Sequence, residues 1–500
     1  MGEFQRSVRR WPIAFVAAIL VLTIHVSRGF EKPNFVVILT DDLGYGDLGC
    51  YGAEDIATQR IDQMAAEGIR FTSFYVSPVC SPTRASLMTG CYAQRVGIGG
   101  VLFERNTVGL HHDEVTLPEL LGEQGYATAL IGKWHLGFQS GQHPPHHGFD
   151  YWYGTIASNS APFSLEGKLF SENCYFRDGL ARDRVVGLSS VPCALMRDEE
   201  VVEIPADQAQ FTRRYTEEVI RHIRANKSRP FFIYLAHNMP HIPLHASEGF
   251  RGTSERGLYG DVIEELDWSV GEILDVLHQE GLDEKTMVIL TSDNGPKRSV
   301  GGSAGGLRGE KGSSFEGGVR VPFIARWPGK VPADRVTEEP VAVMDLLPTL
   351  VGLAGGRVST APVIDGKDIW PLLSGRKGAK SPHQAIYFLK GRFVKGVRVG
   401  DWKFLVEDLP EGEESKAELP LSEEELELPR RKRNALIKER RKADSSASGP
   451  VVGLYDVRQD AAEQRNRIGE FPDVATRLRE MVEVFQNEIR ANHRPAGRGE

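Results

Sequence analysis

The stretch "NFVVILTDD", residues 34–42, decides the fold. Phe35 to Leu39 is apolar without a break, and the run ends on two aspartates. A strand with one wet face alternates apolar and polar residues. A strand without alternation must be covered on both faces, as in a parallel sheet. Three further segments repeat the pattern: "ATALIGKWH" (127–135), "PFFIYLAHN" (230–238) and "TMVILTSDN" (286–294). Each is short, apolar and closed by polar residues.

Helical patterns separate these runs. "IDQMAAEG" (61–68) is amphipathic and ends at a glycine. In "YGDVIEELDWSVGEILDVLHQEG" (259–281), Val262, Leu266, Val270, Ile273, Leu274 and Leu277 recur near helical spacing, and Gly281 ends the pattern. Strand–helix alternation predicts an α/β fold with a large, doubly wound mixed sheet flanked by helices. After about residue 375 the character changes. "QAIYFLKGRFVKGVRVGDWKFLVE" (384–407) reads as an antiparallel meander and "VVGLYDV" (451–457) as a last strand. "VATRLREMVEVFQNEI" (474–489) reads as an amphipathic helix that packs on them. Between them, 411–448 is an acidic block followed by a basic one, expected to be a solvated insertion. The domain reading is therefore 1–29 signal peptide, 30–375 main α/β domain and 376–500 C-terminal subdomain.

The signal peptide rests on Arg6, Arg9 and Arg10 before an apolar run from Trp11 to Val26, then Ser27 and Gly29. That run is shorter than the ~20 residues of a spanning helix. A cleaved signal is expected, with no membrane attachment afterwards and a secreted, periplasmic or lysosomal destination. The net charge of -8 argues against a general nucleic-acid binder but permits a local cationic pocket. Five cysteines, an odd number, leave one thiol for another use. Cys174 and Cys193 are the expected disulfide, and Asn226-Lys227-Ser228 is a glycosylation acceptor sequence.

Ligands of open α/β sheets bind beyond the carboxyl ends of the strands. That rule gathers Asp41, Asp42, Lys133, His135, His237, His241, Asp293 and Asn294 at one rim. Any single acid there could cap a turn. Two pairs after two similar strands, all oxygen donors, instead suit a hard divalent cation, Ca²⁺ or Mg²⁺, over zinc. Lys133 and His135 are two apart and point to one side if extended. His143, His146 and His147 in "GQHPPHHGFD" (141–150) read as an exposed polar loop. The glycine-rich stretch 301–322 lacks the P-loop order, yet its amides and Lys311 could hold an anion. A hard cation with Arg84, Lys133, Lys311 and histidines suits a sulfate or phosphate ester. The residue types alone do not separate the two.

"SPVCSPTRASLMTG" (77–90) goes further. Cys80-Ser81-Pro82-Thr83-Arg84 followed by Ala-Ser-Leu-Met-Thr-Gly resembles the signature of type I sulfatases, of the arylsulfatase and N-acetylgalactosamine-sulfatase group within the alkaline-phosphatase-like superfamily. "GYGDLGCYG", "GKWHLG", "TSDNG" and "GEKGSSFEGGVRVP" match that family in order. The resemblance implies that Cys80 is converted by a formylglycine-generating enzyme to formylglycine, whose hydrate attacks sulfur. It implies that Asp41, Asp42, Asp293 and Asn294, with residue 80, hold a cation, usually Ca²⁺. It further implies that Arg84 stabilises the hydrate, Lys133 and Lys311 bind sulfate oxygens, and His135 assists breakdown of the intermediate. His241 would protonate the leaving oxygen in preference to His237, and Ser158 would contact sulfate. The implied substrate is a sulfated small molecule or glycan. Two other functions stay open: phosphonate or phosphate ester hydrolysis with the same nucleophile, and an inactive sulfoglycan-binding homologue. The oligomeric state is not legible in the sequence.

Overall fold

Covering both faces of "NFVVILTDD" takes two layers of helices. The computed structural model describes residues 2, 32–104, 107–165, 168–177, 190–191, 193–359, 361–407 and 451–498. Apart from Gly2, the expected signal peptide lies outside the described residues, as does the charged block 411–448. From Pro33 onward the described residues form one compact unit.

Strand β1 (Asn34–Thr40) is buried along its whole length in a 12-stranded sheet. The other strands are β2 (Ile69–Tyr75), β3 (Ala127–Gly132), β4 (Tyr151–Gly154), β5 (Leu169–Phe176), β6 (Leu195–Arg197), β7 (Glu200–Ile204), β8 (Phe231–Ala236), β9 (Thr286–Ser292), β10 (Arg320–Arg326), β11 (Arg335–Thr337) and β12 (Val341–Ala342). Their order is β11-β2-β10-β9-β1-β8-β3-β4-β6-β7-β5, with β12 beside β2. The middle five, β9-β1-β8-β3-β4, are mutually parallel. Antiparallel partners flank them at β10 and β6. The sheet is mixed, as expected.

Successive side chains of β1 go to opposite layers. Phe35, Val37 and Leu39 pack with α2 (Cys80–Thr89), α3 (Leu117–Gly122) and α6 (Leu346–Leu353). Val36 and Ile38 pack with α1 (Gln59–Ala66), α4 (Phe211–Asn226) and α5 (Gly257–Gln279). Fully burying one such aliphatic side chain contributes about 1.5–3 kcal/mol, which fixes the strand's register against both layers.

The parallel strands also end level. Thr40 pairs with Ser292, Leu39 with Ala236, and Gly132 with Ala236. The chain therefore leaves β1, β3, β8 and β9 at one rim. Gly132 makes that exit possible for β3. It has φ +112°, and a Cβ there would lie 1.9 Å from the Ala236 carbonyl oxygen.

The C-terminal meander is present as an antiparallel sheet of β13 (Ile386–Lys390), β14 (Phe393–Val399), β15 (Trp402–Glu407) and β16 (Val451–Asp456). The terminal helix α7 (Pro472–Ala491) covers one face through Ala475, Leu478, Val482 and Ile489. Phe388, Leu405 and Tyr455 on the other face meet Tyr75, Phe315 and Met344 of the main sheet's surroundings. Among the described residues no helix is long and apolar enough to cross a membrane.

Two expectations fail. The Cys174–Cys193 disulfide is not formed; Cys193 is a buried thiol near the Ala194 carbonyl. The loop of "GQHPPHHGFD" is not an exposed one. His143 and His147 are buried against Trp152 and Trp134, and of its three histidines His146 alone is exposed. Burial lowers the His143 and His147 imidazoles to about 4, so both are neutral core groups. The acceptor sequence is tied up as well. Asn226 is buried, its amide donates to the His222 carbonyl, and its oxygen accepts from Arg229.

Candidate active site

The rim brings the predicted residues together. Asp41 and Asp42 follow β1, Lys133 follows β3, His237 follows β8, and Asp293 and Asn294 follow β9. Backbone bonds lock these exits. The Asp293 amide donates to the Thr40 carbonyl at 3.1 Å, and the Lys133 amide to the Ala236 carbonyl at 2.7 Å. Asp42 (φ +74°) and His135 (φ +60°) adopt the left-handed region. Such a conformation costs a residue with a side chain about 1–3 kcal/mol and concentrates at functional sites. The turn at His135 also corrects the sequence reading: Lys133 and His135 reach the same site through a bend, not along an extended strand.

Cys80 opens α2, and Arg84 lies one turn later on the same face. All ten residues of this helix are buried, which explains its small, polar composition: it carries chemistry between the sheet and α6. Pro82 is tolerated because it falls in the first turn, where amides have no helical acceptor. Arg84 donates to Asp293 Oδ2 from Nε at 3.1 Å and Nη2 at 2.8 Å, and to the Lys133 carbonyl from Nη1 at 3.0 Å. Lys133 Nζ holds Asp41 Oδ2 at 2.6 Å, and Lys311 Nζ holds Asp42 Oδ1 at 2.5 Å. Asn294 Nδ2 donates to the same Asp42 Oδ1 at 2.7 Å.

These bonds leave a pattern of their own. Asp41 Oδ1, Asp42 Oδ2 and Asn294 Oδ1 are buried with no hydrogen-bond partner among the described residues. A buried oxygen without a donor is costly, so three at one rim mark where a cation fits. Asp41, Cys80 and Asp293 each offer a ligand atom within 4.8 Å of the others, as do Asp41, Asp42 and His241. Burial and then Asp41 push the Asp293 carboxyl up to about 7, against the pull of Arg84. Asp41 goes the other way: burial alone would raise it, yet Lys133, His241, Arg84 and Lys311 hold it well below the usual carboxylate range. Lys133, Lys311 and Arg84 each pair with one of the three buried carboxylates, so the case for a cation rests on the oxygens that these pairs leave without a donor.

At Cys80, burial pushes the thiol up, while Lys133 and Lys311 pull it down. It is held as a thiol, 3.3 Å from His135 Nδ1. His135 Nε2 meets the Leu102 carbonyl at 2.9 Å. Burial, then Lys133 and Arg84, keep this imidazole neutral. His241 lies across the rim. Its Nδ1 is 3.0 Å from Ser158 Oγ and its Nε2 is 4.0 Å from Asp42 Oδ2. His237 does not join the site. It packs among Ile38, Leu43, Ile263 and Leu266, and burial lowers it to about 3. The Leu102 carbonyl and the Ser81 hydroxyl, which accepts from the Leu102 amide at 3.1 Å, escaped the sequence reading. A backbone carbonyl in an irregular loop leaves no mark in residue type.

A buried rim of this kind suits a tetrahedral oxyanion ester held between a cation and two lysines. The "Sulfatase" family model matches residues 33–356. The chain belongs to the sulfatase family. It is 40% identical to human arylsulfatase A over 388 residues, covering 75% of this chain and 74% of that protein. It is 36% identical to human steryl-sulfatase over 435 residues, covering 74% of each. A crystal structure described as Ps i-CgsB in complex with k-i-k-neocarrahexaose superposes with TM-score 0.73 at 27% identity, over 94% of this chain and 95% of that one. The sulfatase is thus a sulfuric ester hydrolase of α/β fold, and its family match spans the segments that carry Asp41, Cys80, Lys133, His241, Asp293 and Lys311.

Proposed function

We propose that this sulfatase hydrolyses sulfate monoesters of carbohydrates or aryl alcohols with a Ca²⁺ ion and a formylglycine made from Cys80. The observation that carries the reading is the set of three unpartnered buried oxygens, on Asp41, Asp42 and Asn294, beside Cys80 and two lysines. Asp41, Asp42, Asp293 and Asn294 are the oxygen ligands, and residue 80 faces them. A thiol suits such a hard set poorly, whereas an oxygen on residue 80 suits it well. When present, the cation supplies charge neutralisation and the aldehyde supplies an oxygen nucleophile toward sulfur.

The chain's own residues do the rest. Lys133 and Lys311 bind sulfate oxygens, each positioned by a ligand carboxylate. Arg84, fixed by Asp293 and the Lys133 carbonyl, orients residue 80 from one helical turn away. His135 accepts a proton from the side chain of residue 80 at Nδ1. His241, steadied by Ser158, delivers a proton to the leaving alcohol oxygen. Preorganised charge in a buried site is worth more than the same charge in water.

The carrageenan-derived ligand named for Ps i-CgsB supports a sulfated glycan as substrate. A formylglycine-generating enzyme is the maturation partner, 1–29 a secretory signal, and 376–500 a C-terminal subdomain. The test is parallel turnover of an aryl sulfate and the matching aryl phosphonate, with EGTA and after Ca²⁺ is restored. Calcium-dependent preference for the sulfate is expected. Dominant phosphonate turnover would assign the other ester class, and neither activity would favour a binding protein.

A further inference from the structure

Four groups close a ring around residue 80. Cys80 Sγ lies 3.3 Å from His135 Nδ1, and His135 Nε2 lies 2.9 Å from the Leu102 carbonyl oxygen. The Leu102 amide donates to Ser81 Oγ at 3.1 Å, and Ser81 follows Cys80 in the chain. Ser81 is fully buried and Leu102 is buried, in a stretch that is neither helix nor strand. A carbonyl oxygen only accepts, so the bond to Leu102 requires the His135 proton on Nε2. In a neutral ring that leaves Nδ1 as the acceptor facing residue 80.

We propose that Ser81 is a positioning residue for His135. Its hydroxyl clamps the Leu102 amide, which holds the Leu102 carbonyl against Nε2–H and so fixes the tautomer that presents Nδ1 to residue 80. The irregular backbone at Leu102 needs such a clamp, because no ladder or helix bond orients it. His135 needs the carbonyl, because its left-handed backbone gives the ring no strand neighbour to lean on. The effect on turnover rests on the reading of residue 80 given above; the tautomer does not.

Two measurements separate them. The first is the tautomer in protein labelled with ¹⁵N-histidine and kept as the Cys80 thiol, with His135 signals assigned by their loss in His135→Gln. The native chain is expected to carry the proton on Nε2, and Ser81→Ala to carry it partly or wholly on Nδ1. The second is kcat and KM on an aryl sulfate, expressed per residue-80 aldehyde counted by peptide mass. Ser81→Ala is expected to lose about 10- to 100-fold in kcat with KM unchanged. Ser81→Thr, which keeps the γ-oxygen, is expected to regain it. A Ser81→Ala protein that keeps Nε2–H, or keeps native kcat per aldehyde, would overturn the proposal. Absence of aldehyde from an active native preparation would instead refute the reading of residue 80 and leave the tautomer result standing.

Discussion

At Cys80 the burial that protects the thiol also disqualifies it as a nucleophile, since the thiolate is disfavoured there. Cys80→Ser is therefore expected to fold normally and to lose roughly 10³-fold or more in kcat, because a serine oxygen cannot return to a carbonyl. Circular dichroism and turnover measured together check this; unfolding of the variant would point to a structural cysteine. His241 makes a different prediction. His241→Gln should cost about 10²–10³-fold on alkyl sulfates and much less on nitrophenyl sulfate, whose leaving group needs no proton. A loss independent of the leaving group's pKa would remove His241 from the acid role. The proposed oxygen ligands were legible in sequence because two similar strands each end on an adjacent pair of oxygen donors. Ser158 gained its partner, His241, only in three dimensions, where the segments after β4 and β8 meet. The Leu102 carbonyl was not legible at all, since any residue there would offer the same atom.

Among the elements, the junction between the C-terminal sheet and the 308–316 loop holds a second buried charge network. Lys403 on β15 lies 2.7 Å from Glu316 Oε1 and 3.0 Å from Glu463 Oε1, all three side chains fully buried. Burial, with Glu316 adding to it, pushes Glu463 up from 4.5 to about 7 against Lys403. Despite its own burial, Glu316 is held down at about 2 by Lys403, Arg320 and Arg398. The signs oppose. The folded chain keeps the Glu463 proton after the unfolded chain has lost it, so that stabilisation is complete below about pH 4.5 and is lost as pH rises through about 7. The Glu316 contribution is present above 4.5 and is lost as pH falls toward about 2. Glu463→Gln imitates the protonated form and should shrink the fall in Tm between pH 5 and pH 8; an unchanged fall would mean that Glu463 does not carry it. The parallel strands were readable because continuous apolar runs have one structural meaning when flanked by helices. The edge strand β5 was not, since its half-exposed mixed residues carry no such pattern, and β6 and β7 are too short to show one. The buried histidine loop misled for a related reason: its polar composition says nothing of the tryptophans that cover it.

For the whole molecule, the proposed cation would join β1, β9 and α2, which lie far apart in the chain, so its removal should be felt globally. Exhaustive EGTA treatment is expected to abolish sulfate ester turnover and lower Tm, with Ca²⁺ restoring both and Mg²⁺ restoring less, because a set of carboxylates and an amide oxygen suits the larger ion. At a hundredfold excess over Kd the ion would stabilise the fold by about 2.7 kcal/mol. An unaffected Tm and unaffected turnover would argue against a metal at this rim. Above all, a buried cysteine amid hard oxygen donors is expected not to be a cysteine in the working enzyme. The most direct measurement is the mass of the peptide containing residue 80, taken from a preparation whose sulfate ester turnover has been measured. An aldehyde is expected, with sulfur replaced by oxygen and two hydrogens lost. An unmodified Cys80 peptide in fully active enzyme would contradict it.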